Sequence, residues 1–311
     1  MRTVLGIDAA WTDREPSGVA VAAEEEGGWR LLAAEPSYQH FFARARGQKL
    51  YRDPVGSLTT ARELVDTAKL ILGSEPDLVA IDMPLSRFPI TERRTSDQAI
   101  SKAFGAAYCA THSPSKDRPG KISDHLRSQF SDIGYELCTR TIATPGLIEV
   151  YPHPALVKLS DEKKRLPYKL SKARRYWPDH NQRDRDLFLF GEWYSIACVL
   201  DGYLSGCREI PQVVGERRKD LKAIEDMLDA AACCVVAIRA LDGAATAYGD
   251  NDSAIWVPEP DPVVMARTLL PSSPNSARTD MRTEVFGNSL EKGGSLESWF
   301  NGIMRRDAPG K

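Results

Sequence analysis

Asp226 and Asp229 stand three residues apart, and the nine residues that follow, Ala230 to Ile238, carry only alanine, cysteine, valine and isoleucine. On a helix, side chains three apart lie one above the other on one side, so these carboxylates can converge on one cation or one buried proton. A helix that is apolar all round is covered on both sides. A carboxylate entering such surroundings must be neutralised, paired or bound to metal. Placing Ile224 at the centre of the preceding apolar stripe puts both aspartates on the opposite side. A metal site therefore requires that side to face strand ends rather than solvent.

Two further carboxylates follow short apolar runs: Asp8 closes Thr3–Ile7, and Asp82 closes Leu78–Ile81. Singly, each reads as a turn or cap residue. Together they mark the C-terminal ends of two buried strands, where open α/β sheets place their sites. Glu149, flanked by Ile148 and Val150, is a third strand carboxylate, either on a solvent face or an auxiliary member of the site. Arg94 and Asp97 can orient a substrate phosphate or pair with each other. Residues 158–190 hold ten Lys/Arg against five Asp/Glu, interleaved with aromatics from Lys163 to Trp177. That mixture suits phosphate contact and base stacking, with Lys169 and Lys172 as candidate contacts, and a solvated helical face as the alternative. His153, between two prolines, can assist proton transfer or simply pack. His112 and His125 lack ligand spacing and receive no role.

The elements that must position these groups follow from periodicity. Thr3–Ile7, Gly18–Ala23 and Trp29–Ala34 read as three consecutive strands, residues 56–73 as a helix, Leu78–Ile81 as a strand and Gly146–Pro152 as another. Residues 96–107 and 186–204 read as helices, and a long helix reaches Leu241 with Asp220 as N-cap. Ile255–Pro258 adds an edge strand. This order predicts an α/β fold: a mixed sheet with an antiparallel N-terminal three-strand meander, then strand–helix alternation, covered by helices. One domain is expected over 1–260, with insertions around 108–145 and 158–205. A flexible tail is expected over 261–311, with a short helix near 296–304.

The 311 residues are 42% hydrophobic and 27% charged with a formal net charge of -2, an ordinary globular composition without a global pull towards nucleic acid. The six cysteines lack zinc-site and disulfide spacing, and read as reduced thiols. The N-terminus lacks the apolar region of a signal peptide and no stretch reaches membrane-span length, so a cytoplasmic location without membrane partners is the expectation. Neither a Walker loop, a Gly-x-Gly-x-x-Gly after the first strand, nor a Gly-x-Ser-x-Gly elbow occurs.

Five motifs, Gly6-Ile-Asp8-Ala-Ala-Trp11 with Pro16-Ser-Gly-Val-Ala-Val21, Ala80-Ile-Asp82-Met-Pro84, Ile148-Glu-Val-Tyr-Pro-His-Pro154 and Asp226-x-x-Asp229-Ala, resemble the successive motifs of the DUF429 family over roughly residues 3–258. That family is a group of predicted nucleases assigned to the ribonuclease H-like superfamily. The last motif is similar to the Asp-x-x-Asp-Ala of RuvC-type resolvases, where it supplies metal ligands. The resemblance implies a ribonuclease H-like sheet with Asp8, Asp82, Asp226 and Asp229 as metal ligands, although resolvases usually carry Glu where this chain has Asp82. Clustered carboxylates suit Mg²⁺ or Mn²⁺. Two such ions activate water and stabilise the leaving oxygen of a phosphodiester. The expectation is a metal-dependent nuclease with DNA or RNA as substrate, Glu149 as auxiliary ligand or base, and Lys169, Arg94 and Lys172 as substrate contacts. Two alternatives stand: an ATP-dependent phosphotransferase of related actin-like architecture, and a non-catalytic nucleic-acid-binding or scaffold protein.

Overall fold

Strand β1 (Thr3–Asp8) runs antiparallel to β2 (Gly18–Glu25), which pairs in turn with β3 (Gly28–Glu35), so the first three strands form the expected meander. The computed structural model describes residues 1–50, 52–212 and 217–269. Helices α1 (Tyr38–Ala45) and α2 (Ala61–Leu72) follow, the latter fixed at its start by Thr60 and Glu63, each accepting the other's backbone N–H. β4 (Leu78–Ile81) then lies parallel to β1, and α3 (Thr95–Phe104) and α4 (Lys121–Asp132) lead to β5 (Glu136–Leu137) and β6 (Gly146–Val150). After α5 (Pro152–Leu159), α6 (Ala173–Tyr176), α7 (Gln182–Asp201) and α8 (Arg218–Leu241), the chain ends its sheet with β7 (Ala245–Gly249) and β8 (Ala254–Pro258).

The result is a mixed eight-stranded sheet in the order β3-β2-β1-β4-β6-β8-β7, with β5 pairing the start of β6. β1, β4, β6 and β8 are parallel neighbours. Period-two alternation splits their side chains between two cores. Val4, Leu78, Ala80, Ile148 and Val150 face α5, α7 and α8, whereas Leu5, Ile7, Val79, Ile81 and Leu147 face α1, α2 and α4. Among the described residues no helix is long and apolar enough to cross a membrane.

Several local expectations are corrected. Ile255–Pro258 belongs to β8, an interior strand buried at every residue, and the edge is taken by β7, whose sequence Ala-Thr-Ala-Tyr-Gly has no apolar run to announce it. The strand expected to reach Pro152 stops at Val150, because Pro152 opens α5. Asp220 is not the N-cap of α8. It sits one turn in and reaches back to the backbone N–H of Arg217 at 3.1 Å and to that residue's guanidinium. Within the expected insertions, α4 buries Leu126 and Phe130 in one core and α7 buries Leu189, Trp193 and Leu200 in the other, α7 packing on α8 and α5. The expected tail begins instead with α9 (Pro262–Leu269), and its remainder, including the helix near 296–304, lies outside the described residues.

Candidate functional site

Strand parity decides which carboxylates can meet. Asp8 shares a face with Val4 and Gly6, and Asp82, one residue beyond β4, continues the parity of Leu78 and Ala80. Both therefore project towards α8. The parallel register sets Ile7 opposite Ile81, and the Asp82 N–H donates to the Ile7 carbonyl at 2.8 Å, so the two aspartates emerge side by side. Glycine brings α8 down onto them. A Cβ on Gly18 would lie 2.1 Å from the Asp226 carbonyl oxygen, and one on Gly6 would lie 2.2 Å from that of Ala230. Neither position admits a side chain, which is why the helix backbone can rest directly on β1 and β2. The face of α8 opposite Ile224 consequently meets the strand ends, and Asp226 and Asp229 are both buried.

Two lysines lie among these carboxylates. Lys169 forms ion pairs with Asp229 and, at 3.3 Å, with Glu225, and the Tyr168 hydroxyl donates to the other Asp229 oxygen at 2.7 Å. Lys222 pairs with Asp226 and, at 3.1 Å, with Glu225, which also accepts the Leu170 N–H at 2.7 Å. The Asp226 Oδ2 is buried with no hydrogen-bond partner. Five carboxylates (Asp8, Asp82, Glu225, Asp226, Asp229) thus face two ammonium groups.

Burial, and after it the neighbouring charges, shift the titrations. Burial, and then the Asp229 charge, pushes Asp8 up to about 6. Burial, Asp8 and Asp229 hold Asp82 well above the usual carboxylate range, and burial keeps Asp226 raised despite Lys222. Burial opposes the charge on Lys169, but Asp229, Tyr168 and Glu225 outweigh it and hold the ammonium form firmly. Burial likewise acts against Glu225, yet Lys169 and Lys222 bring it below its ordinary value. Among the described residues, no three His, Cys, Asp or Glu side chains as they stand could hold a metal ion. The lysine ammonium groups neutralise the acids instead. The donor set nevertheless fits a hard cation: all ligating atoms would be carboxylate oxygens, acid exceeds base, and one buried Asp226 oxygen is unused. Lys222 is the more exposed of the two lysines and the one whose departure would open Asp226.

Parity removes Glu149 from this group. It lies on the face of Leu147 and opposite Ile255, away from α8, and Arg94 grips both its oxygens at 2.5 and 2.7 Å while the Leu85 N–H donates at 2.7 Å. Arg94 also binds both oxygens of Asp97 and the Leu85 carbonyl. Arg94, Asp97 and Glu149 therefore form a closed, buried ion cluster that fastens the β4–α3 connection to β6. The guanidinium has its donors engaged there rather than offered to a phosphate. Lys169 belongs to the carboxylate cluster, and Lys172 lies on the turn beyond it, where burial and Arg165 lower its pKa. His153 packs edge-on to Tyr151 at 5.3 Å and beside Tyr168 at 5.2 Å, and burial keeps it neutral, as a packing role requires.

A cavity of about 630 Å³ opens onto Asp8, Asp82 and Asp226, with Trp11, His112, Ser113, Ser115, Arg118 and Lys222 around it. Glu225, Lys222 and Tyr168 escaped sequence reasoning. The spacing 222, 225, 226 and 229 is itself a helical face, and reading all four positions together would have exposed two of them. Nothing in the sequence singles out His112 or Arg118, because only the fold folds their loop over β1.

The architecture and the site together define a mixed α/β protein with an acid-rich, lysine-bridged cluster at the carboxyl end of its parallel strands. The chain belongs to the DUF429 family, whose model, described as a protein of unknown function, matches residues 6–253 and so spans every member of the cluster. No curated protein and no solved structure matches it.

Proposed function

We propose that this chain is a Mg²⁺- or Mn²⁺-dependent nuclease with a ribonuclease H-like fold over residues 1–260, hydrolysing phosphodiester bonds. One observation carries the reading: Asp8, Asp82 and Asp226 open onto one cavity at the carboxyl ends of β1 and β4, with the Asp229 charge acting on Asp8 and Asp82. Asp8, Asp82 and Asp226 would hold the metal, and Asp229 would join them where Lys169 gives up its oxygen. Divalent ions bound there supply an activated water and stabilise charge on the leaving oxygen. The Tyr168 hydroxyl and the Lys169 ammonium hold the two oxygens of Asp229. Lys222, at the cavity wall, exchanges its bond to Asp226 for a contact with substrate phosphate. The reduced cysteines accord with action in the cytoplasm.

A second reading, a fold retained for binding without catalysis, draws on the ion pairs that Lys169 and Lys222 already make. The test is incubation of the purified chain with Mn²⁺ and single-stranded or structured nucleic acid. Cleavage is expected in the parent and absent in Asp8→Asn. Cleavage that survives in both Asp8→Asn and Asp226→Asn sinks the assignment, and an inert parent that takes up no Mn²⁺ favours the second reading.

A further inference from the structure

The segment Tyr108–Arg118 lines the acidic cavity through His112, Ser113, Ser115 and Arg118 and carries an aromatic–cation pair at each end. Tyr108 has a positive φ of 60°, uncommon for a side chain of its size, and the residue is 65% exposed although nearby Phe104 and Cys109 are buried. Lys164 Nζ lies 5.5 Å from the ring centroid, and the Arg165 N–H donates to the Ala107 carbonyl at 2.8 Å, so the basic stretch from Lys163 is tied to the start of the segment. At the other end the Arg118 guanidinium lies 5.8 Å from the Trp11 ring, and both residues line the cavity. Between them Arg93 fastens the segment to the helix behind it, donating to Ser113 Oγ at 2.9 Å and to the Thr111 carbonyl at 3.4 Å. The segment is therefore a supported strap rather than a loose loop, and it presents an aromatic surface to solvent with cations on both flanks.

An acidic cavity repels a phosphate chain, so a polyanionic substrate needs attraction beside it. Arg118 in the cavity wall and Lys164 over Tyr108, at the two ends of the segment, provide that. An exposed ring can stack only on a base whose face is uncovered, which single strands have and duplexes lack. We propose that this strap binds single-stranded nucleic acid, with an unpaired base stacked on Tyr108 and the backbone held between Lys164 and Arg118 so that a phosphodiester lies over the carboxylates. The inference rests on the nuclease reading of that site and names its substrate class.

The test is fluorescence anisotropy of the full chain with a labelled single-stranded oligonucleotide, and with the same sequence as a duplex, in EDTA so that nothing is cleaved. The single strand should bind more tightly. Tyr108→Ala should weaken it by about 5- to 100-fold with DNA and RNA alike, since both offer the same base face, and Tyr108→Phe should stay within about twofold. Lys164→Ala should flatten the dependence of affinity on salt. Unchanged binding in Tyr108→Ala, or a duplex that binds as tightly as the single strand, overturns the proposal. Because this binding needs no metal, the two ideas fail separately. A protein that binds through Tyr108 yet never cleaves refutes the nuclease, and one that cleaves with Tyr108→Ala binding unchanged refutes the strap.

Discussion

Replacing Arg94 by alanine separates a structural role from a substrate role. The guanidinium makes five hydrogen bonds inside the protein, one to the Leu85 carbonyl at 2.7 Å, two to Glu149 and two to Asp97. Its carboxylate partners are 3% and 1% exposed, so alanine leaves two acids buried with no cation. Removing one side of a buried ion cluster costs about 3–5 kcal/mol, a large part of the roughly 5–15 kcal/mol that holds a domain folded. Neutralising the stranded acids should restore much of this. The triple variant Arg94→Met, Asp97→Asn, Glu149→Gln should therefore come back to within about 2 kcal/mol of the parent. Urea unfolding followed by tryptophan fluorescence reads both effects as shifts of midpoint at constant slope. If Arg94→Ala lost less than about 1 kcal/mol while oligonucleotide affinity collapsed, the closed-cluster interpretation would be wrong and Arg94 would be a phosphate ligand after all.

Gly18→Ala should destabilise by about 1–3 kcal/mol or more, because its Cβ would meet the Asp226 backbone at 2.1 Å and α8 would have to lift off the sheet; a thermal melt equal to the parent's would contradict that close approach. Lys222→Ala removes the ammonium group that competes for Asp226, so Mn²⁺ affinity measured by calorimetry should rise several-fold, whereas a fall would mean that the lysine supports the site. Burial pushes Glu35 up to about 7, with Arg44 opposing. A carboxylate whose folded pKa is raised is penalised only when ionised, so stability is lost as pH climbs from about 4.5 to 7. Glu35→Gln should leave the melting temperature unchanged near pH 4 and raise it at pH 8; a stabilisation confined to acid pH would reverse the sign.

The meander and the strand ends at Asp8 and Asp82 were legible because these buried strands are short apolar runs bounded by turn residues. The aspartate pair on α8 was legible because it stands at the entry to the apolar run Ala230 to Ile238, where charge is conspicuous. What escaped depended on pairing across the fold. Glu149 looked like a site carboxylate because a strand shows which side chains alternate, but not which face meets α8 until its neighbours are known. Arg94 read either as a phosphate contact or as a partner of Asp97; it does pair with Asp97, while its second partner, Glu149, lies 55 residues away in sequence. Lys169 stood out for its segment, yet its engagement with Asp229 arises only when the turn before α6 folds back onto α8. The edge strand β7 has too little apolar character to register by itself.

Calorimetric titration of the purified chain with Mn²⁺, set beside the double variant Asp8→Asn, Asp229→Asn, bears most directly on the carboxylate cluster. Saturable Mn²⁺ uptake by the parent, reduced at least about tenfold in the double variant, is the expected result. Uptake that is equal in both proteins, or absent from the parent, contradicts a metal site built on these aspartates.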